Sequence, residues 1–145
     1  MTFYIADSDE DRRLAYDIIR INRESKGYPL RMSYDQIEDT ASVIEVTYFI
    51  IKLDQKAIAS ALVFNVTDKI SQVVYWGNIP EASDMRPMNL MPLKLVEHYH
   101  RLGVEILDIG PSTEYGVPNY GLCDFKSSIG CESDLKFKFT FNPLK

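Results

Sequence analysis

The stretch Ala57–Val66, AIASALVFNV, decides how the chain is read. Side chains alternate along a strand, so Ile58, Ser60, Leu62, Phe64 and Val66 share one face, while Ala59, Ala61, Val63 and Asn65 share the other. Both faces are largely apolar. Such a strand has to be covered on both sides, which predicts a central position in a sheet. Its neighbours are close in sequence. Val46–Leu53 precedes it across a tight turn at Asp54 and Gln55, and Ile70–Trp76 follows the turn Thr67, Asp68, Lys69.

Toward the N-terminus, Thr2–Ala6 is a short strand. Ser8 reads as an N-cap, with Asp9, Glu10 and Asp11 in the first turn, where carboxylates suit the helix dipole. Leu14, Ala15, Ile18 and Ile19 give that helix an apolar face up to about Lys26. Gly27 ends it, and Tyr28 with Pro29 prevents its continuation. Ser33 and Gln36 form a capping box that opens a shorter helix with Ile37 and Ala41 inward.

Toward the C-terminus, residues 77–88 read as loop. Asn89 is the expected N-cap of a helix with Pro92 in its first turn, carrying Leu93, Val96, Tyr99 and His100 to a stop at Gly103. Val104–Ile109 follows as a strand, and Gly110–Pro118 as loop. Leu122, Phe125 and Ile129 then mark one apolar face of a helix that opens at Asn119 and closes at Gly130. Leu135–Phe141, LKFKFTF, alternates as a last strand. The predicted order is β-α-α-β-β-β-α-β-α-β. It describes one α/β (α+β) domain over residues 1–145, with a mixed, mostly antiparallel sheet of about six strands and four helices.

Composition narrows the partners. The 145 residues carry 16 basic and 21 acidic side chains, a formal net charge of −5. No basic run is present, so nucleic acid is not the expected partner. The opening MTFYIADSDED has no long apolar segment, and no stretch approaches a membrane span, so a cytoplasmic protein that does not enter membranes is expected. Cys123 and Cys131 make neither a disulfide framework nor a metal pattern. His98 and His100, two apart on a helix, face different ways, so no metal is expected.

The element order resembles that of the GNAT-type N-acyltransferases, and two stretches carry the resemblance. NYGLCDFKSSIGC, residues 119–131, is similar to that family's late helix at Asn119, Leu122 and Gly130. Lys126 stands where the family has Tyr, and this Phe-Lys pair is closer to Fem-type peptidyltransferases of the same superfamily. RPMNLM, residues 86–91, resembles the loop whose backbone amides and helix N-terminus bind the coenzyme A pyrophosphate. Arg86 matches its first position, and Asn89 and Met91 replace two small residues. Met91 puts a side chain where phosphate must approach, so the loop is expected to be obstructed there.

The resemblance implies acyl transfer from a thioester donor, acetyl-CoA or another acyl-CoA, to a small amine. It implies donor contacts from Arg86, Asn89, Leu90 and Asn119, and places Lys126 near the reacting groups. The donor would lie where the sheet splays between Ile70–Trp76 and Val104–Ile109. Acyl transfer also needs a base for the ammonium proton and an acid for the leaving thiolate. Tyr115 or Tyr120 could be the acid, and Asp108 the base if desolvated. The loop holding Tyr28 and Arg31 would border the acceptor, and Tyr75 with Trp76 would floor the acyl or pantetheine pocket. The alternative function is a catalytically silent domain that binds a small ligand or partner protein in the same cleft. A stand-alone half of a Fem-type enzyme would predict a homodimer.

Overall fold

The computed structural model describes residues 1–114 and 116–141, with the side chain of residue 114 left aside. They fall into two compact units, residues 1–110 and those from Pro111 on.

The first unit is built on a five-stranded sheet in the order β1 (Thr2–Ile5), β2 (Val46–Leu53), β3 (Lys56–Asn65), β4 (Ile70–Asn78), β5 (Ile106–Asp108). Three pairings are antiparallel, and only β4 with β5 is parallel. As its two apolar faces required, β3 is central, and Ile58 to Val63 are buried without interruption. On one face lie α1 (Asp9–Ser25) and α2 (Tyr34–Ala41), with Ala15, Ile19, Ile37, Tyr48, Ile50 and Leu62 packed together. On the other lies α3 (Pro87–Arg101), where Phe49, Ile51, Ala61, Val63, Met91 and Leu95 meet. Ile58 departs from strict alternation and joins Ala59 on the α3 face. The register slips there, Ile51 pairing with Ala59 and Lys52 with Ala57.

The caps follow the sequence signals. Ser8 accepts from the Asp11 amide at 3.1 Å, and Ser33 with Gln36 makes both halves of the capping box.

The third helix departs from expectation in three ways. It starts at Pro87, two residues before the expected cap at Asn89, and follows a short 3-10 helix, Pro80–Met85. Pro87 takes the first helical position, where its missing N–H costs nothing, so Pro92 lies inside the helix rather than in its first turn. The buried face runs through Met91, Leu95 and Tyr99, and Leu93 and Val96 are more than half exposed.

The second unit holds a two-stranded antiparallel ribbon, β6 (Thr113–Glu114) with β7 (Val117–Pro118), where loop was expected. It then forms α4 (Tyr120–Ser128). Residues 131–141 have no regular structure, so the predicted strand Leu135–Phe141 is not formed. Its Leu135, Phe137, Phe139 and Phe141 are 76–90% exposed. Alternation stabilises a strand only through a paired neighbour and a buried face, and these side chains have no buried face.

Candidate functional site

The first unit opens along β4. Pairing with β5 runs through Ile70↔Ile106, Ser71↔Leu107 and Gln72↔Asp108 and then stops. Pairing with β3 continues to Ala59↔Asn78. Between these limits β4 is bulged: Leu62 pairs with Tyr75 and Val63 with Val73, which leaves Val74 as the extra residue. A bulge bends its strand and increases its twist. Here it falls two residues past Gln72, the last β4 residue paired with β5.

The bulge also resets which way the side chains point. Val73 faces α3, and regular alternation would send Tyr75 the same way. Instead Val74 and Tyr75 pack with the α1 cluster, and Trp76 packs with the α3 cluster. Tyr75 is buried there, with the Arg23 guanidinium 5.7 Å from its ring centre. Of the expected aromatic pair, only Trp76 is on the α3 side, together with Met88, Leu90 and Ile109 at the margin of the core.

Two side chains fix the margins of the opening. Asn22, on α1, donates to the Asn78 carbonyl at 2.7 Å and holds the end of β4. Asp108 accepts from Gln72 Nε2 at 3.1 Å and from the Gly110 amide at 2.8 Å. One oxygen thus ties the end of β5 to β4, and the other fixes the turn that follows β5.

Arg86 begins α3 in a left-handed conformation, φ 50° and ψ 48°, that residues other than glycine and asparagine seldom adopt. It is exposed, as is Asn89 in the first turn, and Leu90 is half-buried. The turn presents the positive end of a 15-residue helix. Met91 is fully buried in the core. It therefore does not stand in the loop, and the expected obstruction is corrected. Starting the helix three residues earlier, with Arg86 rather than Asn89 as its cap, moves residue 91 into its second turn, on the core side. Tyr28 and Arg31 are exposed in the connection between α1 and α2.

In the second unit, Asn119 caps α4 by accepting from the Leu122 amide at 3.1 Å. Gly130, at φ 87°, allows the Cys131 amide to reach the Lys126 carbonyl at 3.0 Å, which closes the helix with a Schellman bond. Lys126 is only 7% exposed, and its ammonium donates to the Pro111 carbonyl at 3.1 Å. Tyr120 is largely exposed, and Tyr115 lies outside the described residues. Both cysteines are free. Burial pushes the Cys131 thiol up in pKa, and the nearby Lys126 charge opposes that. Removing the Asn119 cap should cost α4 about 1 kcal/mol in Asn119→Ala and almost nothing in Asn119→Ser. Amide exchange across residues 120–128 measures this, and equal protection in both variants would show that the cap is unimportant.

Among the described residues no helix is long and apolar enough to cross a membrane, and no group of three His, Cys, Asp or Glu side chains could hold a metal ion.

No family model and no curated relative matches the sequence. Solved structures do match the fold. An aminoglycoside acetyltransferase from an uncultured soil metagenomic sample, in complex with sisomicin, superposes with a TM-score of 0.68 at 12% identity, over 99% of this chain and 96% of its own. AAC(6')-Iy, in complex with the bisubstrate analogue CoA-S-monomethyl-acetylneamine, gives 0.65 at 14% identity, over 99% and 100%. The ribosomal-protein-S18-alanine N-acetyltransferase from Escherichia coli gives 0.62 at 16% identity, over 89% and 77%. The five-stranded sheet with its bulged β4 is thus found in a chain whose fold is that of the GNAT-type acetyltransferases.

Proposed function

We propose that this protein is an N-acyltransferase that moves an acyl group from acyl-CoA to a small amine. The observation that carries the reading is that β4 runs on past Gln72, its last residue paired with β5, and that Trp76 on it and Met88 and Leu90 at the start of α3 pack against one core cluster. Past that point, the side of β4 that faced β5 offers backbone groups for an extended amide-containing chain such as pantetheine to pair with. The first turn of α3 offers a positive dipole end, and Arg86 a guanidinium, to the pyrophosphate. Trp76 and Leu90 supply apolar surface at the margin of the core. Similarity to structures that hold a coenzyme A bisubstrate analogue or an aminoglycoside supports the donor and the amine class.

In the reaction, the unprotonated amine nitrogen attacks the thioester carbonyl. The new amide bond forms as the carbon–sulfur bond breaks, the nitrogen gives up one proton to water, and the thiolate takes one from water, so that the free thiol leaves. We assign Asp108 to holding the β5 end in place rather than to proton transfer, because both of its oxygens are engaged.

Acetyl-CoA should bind with micromolar affinity and raise the melting temperature by mass action. Arg86→Gly should weaken that binding roughly tenfold, or about 1–2 kcal/mol, through the lost charged contact. It should leave the fold as stable or more so, since glycine accepts the left-handed backbone. Calorimetry and thermal shift read both effects. No heat and no shift at millimolar acetyl-CoA would remove the acyl-CoA reading and favour the silent ligand-binding alternative.

A further inference from the structure

At the other end of the sheet, where β4 begins, lies a second cavity of about 630 Å³. That is within the usual volume of small-molecule pockets, roughly 300–1,000 Å³. Three polar side chains line its α3 side in a chain of hydrogen bonds. Ser71 donates to Asn65 at 3.1 Å, and the Asn65 amide donates to Thr47 at 3.1 Å. Tyr99 completes this wall from α3. It is 2% exposed, and its hydroxyl has no hydrogen-bond partner among the described residues. Burial pushes that phenol up to about 12, while the nearby Thr47 hydroxyl pulls the other way from outside hydrogen-bonding geometry.

An unpartnered hydroxyl at this depth costs about 1–3 kcal/mol. Its ring is fixed by edge contacts with Phe49 at 5.9 Å and His98 at 5.0 Å, so it does not turn away to find a partner. The cavity's charge is one-sided. Asp7, Glu45 and Asp68 stand at the rim, and the single guanidinium, Arg12, is already paired with Asp9. The Nε of Arg12 is buried and unpartnered, a donor waiting for an acceptor.

We propose that this cavity is a second ligand site, separate from the acyl-donor cleft, and that it takes a small aliphatic ammonium carrying a hydroxyl group. The ammonium donates to the Tyr99 oxygen within the field of Glu45, and the ligand's hydroxyl meets the polar wall of Thr47, Asn65 and Ser71. The ammonium thus gives the buried phenol the partner that the protein leaves out.

Backbone amide NMR titration of the intact protein tests this, with ethanolamine as the probe and ethylene glycol as the uncharged control. Ethanolamine should give saturable shifts at Thr47, Ser71 and Leu102 at tens of millimolar or below, and ethylene glycol none. Tyr99→Phe, which keeps the ring and removes only the open hydroxyl, should fold with equal or greater stability and lose ethanolamine affinity severalfold. Glu45→Gln should do the same through charge. Neither should change acetyl-CoA binding. Shifts that never saturate would mean that the cavity holds water only. Equal binding of ethylene glycol, shifts confined to the start of α3, or unchanged affinity in Tyr99→Phe would each also overturn the proposal.

Discussion

Met91→Ala should lose about 2–5 kcal/mol of stability and leave acyl-CoA affinity unchanged under conditions where the variant is folded. The loss follows from removing a fully buried side chain among Leu95, Ile51 and Val63 on the α3 face. A core at crystal-like density cannot close such a gap without moving a helix. The unchanged affinity follows from the direction of the side chain, which enters the core and not the loop at Arg86. Urea denaturation gives the first quantity, and calorimetry at low temperature the second. Tighter acetyl-CoA binding by the variant would restore Met91 as an obstruction and contradict its burial.

Gly77→Ala should be the most damaging single methyl group in β4. A Cβ there would stand 2.6 Å from both Cγ and Oδ1 of Asn22 and 3.0 Å from its Cβ. Asn22 has little room to yield. It is buried, its side chain is short, and its amide is bonded to the Asn78 carbonyl. Overpacking of this kind costs about 1–3 kcal/mol, and breaking the buried hydrogen bond adds about 1–3 kcal/mol more. Because Asn22 anchors the end of β4 beside the cleft, acetyl-CoA binding should weaken along with stability. The double variant with Asn22→Ala should cost less than the sum of the two single changes, since they share one contact. Strict additivity in denaturation would show that the clash is relieved elsewhere.

The features legible in the sequence were those written in local chemistry. The two apolar faces of Ala57–Val66 placed β3 at the centre, and Ser8, Ser33 and Asn119 marked helix starts through their own hydroxyl or amide groups. The start of α3 was misplaced because Arg86 carries no capping signal and adopts a backbone geometry its residue type disfavours. That shift of three residues hid the burial of Met91. LKFKFTF looked like a strand because alternation is visible in one chain, whereas a pairing partner is not. The bulge in β4 left no trace, since SQVVYWGN has no alternation to interrupt. The far cavity left a faint one: Thr47, Asn65 and Ser71 are polar residues near the same end of three adjacent strands. Tyr99 was read only as apolar surface, and nothing in the sequence says that its hydroxyl is left open.

Val74 contributes by being present, whatever side chain it carries. The bend in β4 is therefore encoded as a count of residues along the chain, one more on β4 than β3 requires. Substituting Val74 leaves that count intact. Deleting it would keep Tyr75 and Trp76 on their present faces, because the remaining residues would then alternate normally. It would also remove the bend that the extra residue puts into β4 just past Gln72, where pairing with β5 stops. For a strand with this device, insertions and deletions set its course, and point substitutions only tune what its faces hold.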